Sequence, residues 1–190
     1  SCKLLGRRVA EWTALYVHGQ KGQHPDAKDI PRLTPADGEE GMNVYAYQLD
    51  IVWEDKEANF KKVRDWSSRT KPQSGSLLVL PELFATGFSM GAQSLQEPED
   101  GLTESFLKEL ARDTACYVMG GLVVTRSREK PTNDALLINP EGNRIGHYSK
   151  MQPFNMGKEG ENYEAGNDIQ CFELSGGLRL CPFICYDLRF

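Results

Sequence analysis

The sequence predicts an α/β fold built on a mixed sheet. Helix-period and strand-period segments alternate early in the chain as β-α-β-α, and short strands joined by tight turns follow. Residues 76–80 form a short unbroken apolar run, the mark of a strand covered on both faces. Pro140-Glu141-Gly142-Asn143 stands between two strand-like runs as a hairpin turn, so part of the sheet is antiparallel.

Each element has its own signal. Residues 43–50 read as a strand through Val44, Tyr45, Ala46, Tyr47 and Leu49. Residues 53–69 read as an amphipathic helix, with Trp53, Phe60, Val63 and Trp66 near one face. Residues 81–101 read as a loop rich in Gly and Pro. Thr103 is the expected cap of a helix reaching Ala115, with Phe106, Leu107, Leu110 and Ala111 inward. Strands are expected at 117–125, 134–139 and 144–149, then a glycine-rich irregular stretch over 151–167. A last strand pair is expected at 169–174 and 178–186, around Ser175-Gly176-Gly177.

Composition narrows the function. The chain has 190 residues and a net charge of −5, which argues against a nucleic-acid partner. No apolar run is long enough to span a membrane. Residues 1–41 carry six basic and six acidic residues, with Pro25, Pro31 and Pro35 and no sustained hydrophobic period. They read as a leader, loop or disordered, ahead of a domain that starts at Met42. Five cysteines, an odd number, with no signal peptide in view, read as free thiols in a reducing cytoplasm. Cys181 and Cys185 stand four apart without a second ligand pair, so a zinc site is not expected.

Three segments can carry chemistry. Leu80-Pro81-Glu82 places an acid at the carboxyl end of a buried strand, where open α/β sheets bind ligands; a solvated loop Glu is the plain alternative. Tyr148-Ser149-Lys150 ends another strand with a lysine, suited to an oxyanion or to lowering a thiol pKa, although most such lysines are solvated. Ile184-Cys185-Tyr186-Asp187 ends a third with a cysteine, a nucleophile or an inert core thiol. Cys181 shares its parity but is expected deeper, in the core. Gly87-Phe88-Ser89-Met90-Gly91 matches the serine nucleophile elbow, but lacks the strand running directly into it.

Glu, Lys and Cys in this order, with Leu80-Pro81-Glu82-Leu83-Phe84, Tyr148-Ser149-Lys150 and Cys185-Tyr186-Asp187-Leu188-Arg189-Phe190, resemble the carbon-nitrogen hydrolase (nitrilase) superfamily. The stretch from Lys150 to Gly166, with Phe154, Glu159 and Tyr163-Glu164-Ala165-Gly166, resembles its omega-amidase branch. The resemblance covers residues 42–190. It implies the N-terminal part of an αββα sandwich with mixed sheets, the C-terminal part missing, and a homodimer where the domain is full. It further implies a nucleophile at Cys185, a proton carrier at Glu82, an oxyanion partner at Lys150 and a second acid at Glu159, with no metal or organic cofactor. The branch implies a small-molecule amide substrate of the 2-oxoglutaramate or 2-oxosuccinamate kind, cleaved through a thioester. Tyr186, Phe154 and Arg189 are then candidate substrate contacts; Arg189 is equally suited to a carboxylate clamp and to a structural ion pair. An inactive fragment, or another branch such as a carbamoylase, is the alternative.

Overall fold

The computed structural model describes residues 41–125 and 129–190. The leader expected over 1–41, with Cys2, falls outside them except for Gly41. Five strands form one sheet in chain order: β1 (Val44–Ala46), β2 (Leu77–Val79), β3 (Tyr117–Val124), β4 (Thr132–Ile138) and β5 (Arg144–Ser149). β1, β2 and β3 run parallel, and β3, β4 and β5 are antiparallel neighbours, so the sheet is mixed as expected.

Two helices cover one face. α1 (Lys56–Thr70) starts later than its hydrophobic pattern suggests, because Asp55 caps it by accepting from the Ala58 amide at 3.0 Å. Trp53 therefore lies outside the helix and is exposed. A single-turn helix, α2 (Ala92–Leu95), interrupts the loop that follows β2. α3 (Leu102–Thr114) begins after Gly101 and not after Thr103. Thr103 is inside the first turn, where its amide and hydroxyl donate to Glu97 at 2.7 and 2.5 Å, so a distant carboxylate does the capping.

Alternation along the strands divides the core. Leu78, Val118, Leu136 and Ile138 face the helices, packing with Phe60, Val63, Phe106, Leu107 and Phe84. Phe60 stacks on Phe106 with ring centres 4.2 Å apart. Leu77 and Leu137 face the other side, where Leu174, Phe172 and Leu180 cover them in part.

The C-terminal stretch departs most from expectation. The last strand pair shrinks to β6 (Phe172–Glu173) and β7 (Arg179–Leu180). Cys171 and Cys181 flank this short hairpin and form a disulfide. That overturns the reading of all five cysteines as free and of Cys181 as a core thiol; two strands only two residues long hold their ends together covalently. Cys116 and Cys185 are free. No helix among the described residues is long and apolar enough to cross a membrane.

Candidate active site

The site forms where β2, β4 and β5 deliver their ends. Glu82 lies just past β2, in a turn that Leu83 closes with left-handed backbone (φ 46°). That turn rests directly on β3 at Gly121. A methyl there would come within 2.5 Å of the Leu83 nitrogen, so only glycine admits the contact. Lys150 follows β5 and is 2% exposed, far from the solvated edge charge that was its plain alternative. Glu159 opens a short helix, α4 (Glu159–Asn162), inside the stretch expected to be irregular, and is 1% exposed.

These groups form a closed hydrogen-bonded ring. The Lys150 ammonium donates to Glu82 Oε1 and to Glu159 Oε2, each at 2.8 Å. The Asn133 amide nitrogen, from β4, donates to the same Glu82 Oε1 at 2.7 Å and to Glu159 Oε1 at 2.9 Å. Glu159 Oε2 also accepts from the Phe154 amide at 2.6 Å. Burial works against the charge on Lys150, but the Glu82 carboxylate and the hydrogen bonds that the ammonium donates to both acids outweigh it and raise its pKa. Lys150 is thus a fixed cation.

Cys185 stands against this ring, on a 3-10 turn (Cys185–Arg189) and not at a strand end. Its own backbone is left-handed (φ 49°). The residue is open to solvent on one side. Enough protein surrounds the sulfur that burial pushes the thiol pKa up, and the charge and hydrogen bond of Glu82 add to this against the opposing pull of Lys150. The expectation of a thiolate made acidic by lysine is therefore corrected. The raised pKa favours the protonated thiol, with the Glu82 carboxylate near enough to act on it as a base.

Buried Asp187 anchors the turn. Its Oδ2 accepts from Tyr148 Oη at 2.7 Å and from the Ile184 amide at 2.9 Å, and its Oδ1 accepts from the Gln152 amide at 2.7 Å. Burial, then the bond to Asp187, raises the Tyr148 pKa, so the phenol remains a donor. Aromatic rings border the site. Phe154 meets Tyr186 edge-on at 5.3 Å, the Arg189 guanidinium lies 5.8 Å from the centre of the Tyr186 ring, and Phe88 lies 5.3 Å from the Lys150 nitrogen.

Ser89 is no nucleophile in this arrangement. It is buried, and its hydroxyl donates to Glu54 at 2.5 Å. The elbow-like motif contributes Phe88 instead. Asn133, Asp187 and Phe88 escape a reading of the sequence. A usable signal for the first was present: Thr132-Asn133-Asp134 puts three consecutive polar residues in a strand buried on both faces, and buried polar groups need partners.

A profile of the carbon-nitrogen hydrolase family matches residues 43–190. The chain belongs to this family. Among similar carbon-nitrogen hydrolases, the omega-amidase YafV of Yersinia enterocolitica is 34% identical over 143 residues, covering 75% of this chain and 54% of its own. The 2-oxoglutaramate amidase of Bacillus subtilis is 31% identical over 144 residues, covering 75% and 55%. The crystal structure of XC1258 from Xanthomonas campestris, described as a carbon-nitrogen hydrolase superfamily protein with an arsenic adduct in its active site, superposes with a TM-score of 0.72 at 30% identity, covering 78% of this chain and 55% of that one. The chain spans about half the length of the curated relatives it matches. The nitrilase-type fold and the carbon-nitrogen hydrolase assignment expected from the three motifs both hold.

Proposed function

We propose that this protein releases ammonia from the omega-amide of a small 2-oxo acid amide, such as 2-oxoglutaramate or 2-oxosuccinamate, through a thioester on Cys185. The observation that carries the chemistry is one buried ammonium shared by Glu82 and Glu159, with the Cys185 thiol close enough to feel the charges of Glu82 and Lys150. The substrate class is supported by relatives named omega-amidase and 2-oxoglutaramate amidase.

Glu82 takes the thiol proton as sulfur attacks the amide carbon. The resulting oxyanion is stabilised by the Lys150 ammonium and the Tyr186 backbone N–H. Glu82 then passes the proton to nitrogen as the C–N bond breaks, so ammonia leaves neutral and the acyl group stays on sulfur. Water adds to the thioester with Glu82 as base, the acid is released, and the thiol regains its proton. Glu159 holds Lys150 in place, and Arg189, beside the Tyr186 ring, is the candidate clamp for a substrate carboxylate, with a structural ion pair as its alternative role. A homodimer belongs to the same proposal, carried by the family resemblance alone; a cytoplasmic location, expected from free thiols, is kept as a proposal against the Cys171–Cys181 disulfide.

Ammonia release from 2-oxoglutaramate is the direct test. Cys185→Ala is expected to lower it by roughly 1,000-fold or more. Full activity in that variant ends the nucleophile assignment. Strong preference for an N-carbamoyl amino acid under the same conditions replaces the omega-amidase reading with the carbamoylase one.

A further inference from the structure

Asn133 has a geometry that a packing role does not explain. It is 1% exposed on β4, and its Oδ1 is buried without a hydrogen-bond partner. A buried unsatisfied acceptor is destabilising, so an apolar side chain of similar size would suit the strand better. The NH₂ group, by contrast, is fully used. Its two hydrogens are divided between Glu82 and Glu159, the same two acids that share Lys150. Both donors meet Glu82 at Oε1, which leaves the second carboxylate oxygen outside the ring. The strand also fixes the height of the lysine, because the Lys150 amide donates to the Asn133 carbonyl at 2.9 Å.

We propose that Asn133 is a positioning residue for proton transfer: it clamps one oxygen of Glu82 so that the other faces the Cys185 thiol, and it keeps the two acids apart on a single ammonium. The Asn amide suits this task because it has two donor hydrogens and no charge. A second cation at this place would compete with Lys150 for the same acids. A hydroxyl could serve only one of them. The inference rests on the amidase reading for its turnover readout, but not for its chemical one.

The test uses Asn133→Ser, Asn133→Ala and Asn133→Leu in the full chain. One readout is the rate at which iodoacetamide alkylates Cys185, corrected with Cys185→Ala. This needs the thiol and its base but no amide turnover. The other is kcat and KM for 2-oxoglutaramate. Ala and Leu lose both donors and are expected to slow alkylation and kcat by roughly 10- to 100-fold, with KM little changed. Ser keeps one donor and is expected to lie between them and the unmodified protein. A structural residue would give a different order, with Leu, the volume-conserving change, least affected and losses tracking melting temperature. That order, or alkylation equal in all four proteins, overturns the proposal. Should Leu fail to fold, Ser against Ala decides, since they differ by one hydroxyl. Donor-ranked alkylation without 2-oxoglutaramate turnover in the unmodified protein would uphold Asn133 and remove the omega-amidase reading instead.

Discussion

Residues 44–149 and residues 150–190 are held together by different forces. The first stretch is a sheet and two helices packed through a continuous apolar cluster that includes Phe60, Leu78, Phe84, Phe106, Val118 and Leu136. The second has few regular elements and only small apolar contacts, through Tyr163, Leu174 and Ile184; its other anchors are polar or covalent: the Glu159 carboxylate, the Asp187 carboxylate and the Cys171–Cys181 disulfide. Apolar burial is non-directional and tolerates small shifts. Hydrogen bonds to a carboxylate fix a position to a few tenths of an ångström. Stability thus resides mainly in the first region and the placement of the nucleophile in the second. Lys150, the residue at their junction, belongs to both.

The largest expected effect separates chemistry from stability. Glu82→Gln keeps the size of the side chain and removes its charge. Turnover of 2-oxoglutaramate should fall by roughly 100- to 10,000-fold, since a general base is lost. The thiol should move the opposite way. Burial holds the Cys185 pKa up, and the Glu82 charge adds to that. Without the charge, the pull of Lys150 is less opposed, so thiolate absorbance should appear at lower pH than in the unmodified protein. A thiol titration that shifts upward would contradict the assignment of Glu82 as its neighbour and base.

Next comes the junction. Lys150→Met leaves the buried Glu159 and the half-buried Glu82 carboxylates without their shared cation and should cost about 3–5 kcal/mol of stability in denaturant unfolding. Lys61→Met is the contrast. It breaks only the exposed pair with Asp65, at 2.7 Å on the surface of α1, and should leave the unfolding midpoint nearly unchanged. Equal losses would mean that burial does not distinguish the two ammonium groups.

The same division decides what could be read from the sequence. Strand β5 is expected and found at Arg144–Ser149, and β3 within one residue of its expectation, because burial on a sheet imposes a visible pattern. The site obeys no such period. Leu83 after Glu82, Lys158 before Glu159, and Cys185 itself all adopt left-handed backbone without being glycine. Such a residue costs about 1 kcal/mol or more and looks in sequence like any loop residue, so the turns that aim the catalytic groups stay hidden. Glu82, Lys150 and Cys185 are legible through motif resemblance; Asn133 and Asp187, which hold them, are not, because their roles arise only when distant segments meet.

The disulfide offers a smaller break. It closes a loop of sequence separation 10 around a hairpin whose strands are two residues each. Cys171→Ser should lower stability by about 2–3 kcal/mol through the freed chain entropy. Cys185 alkylation should be nearly unchanged in this variant. Ile184 packs with Ala135 and Tyr148, and Asp187 holds the turn, so the nucleophile has its own anchors beyond the hairpin. A large fall in alkylation would show that the hairpin also positions the thiol.

Asp187→Asn is the finest cut, because it changes one atom and keeps the shape. Asp187 presents acceptors to three donors: the Tyr148 hydroxyl, the Ile184 amide and the Gln152 amide. An asparagine has one acceptor oxygen, so either the Gln152 bond or the pair from Tyr148 and Ile184 must face an NH₂ group. The stability cost should be modest, about 1–2 kcal/mol, since the apolar core around Leu78 and Leu136 is untouched. The cost in reactivity should be larger in proportion, because these bonds tie the Cys185 turn to β5 and to the segment just past Lys150. Stopped-flow alkylation alongside denaturant unfolding separates the two. A loss of reactivity no greater than the loss of stability would show that the turn is held by packing, and the contrast between an apolar scaffold and a polar, precisely aimed site would weaken with it.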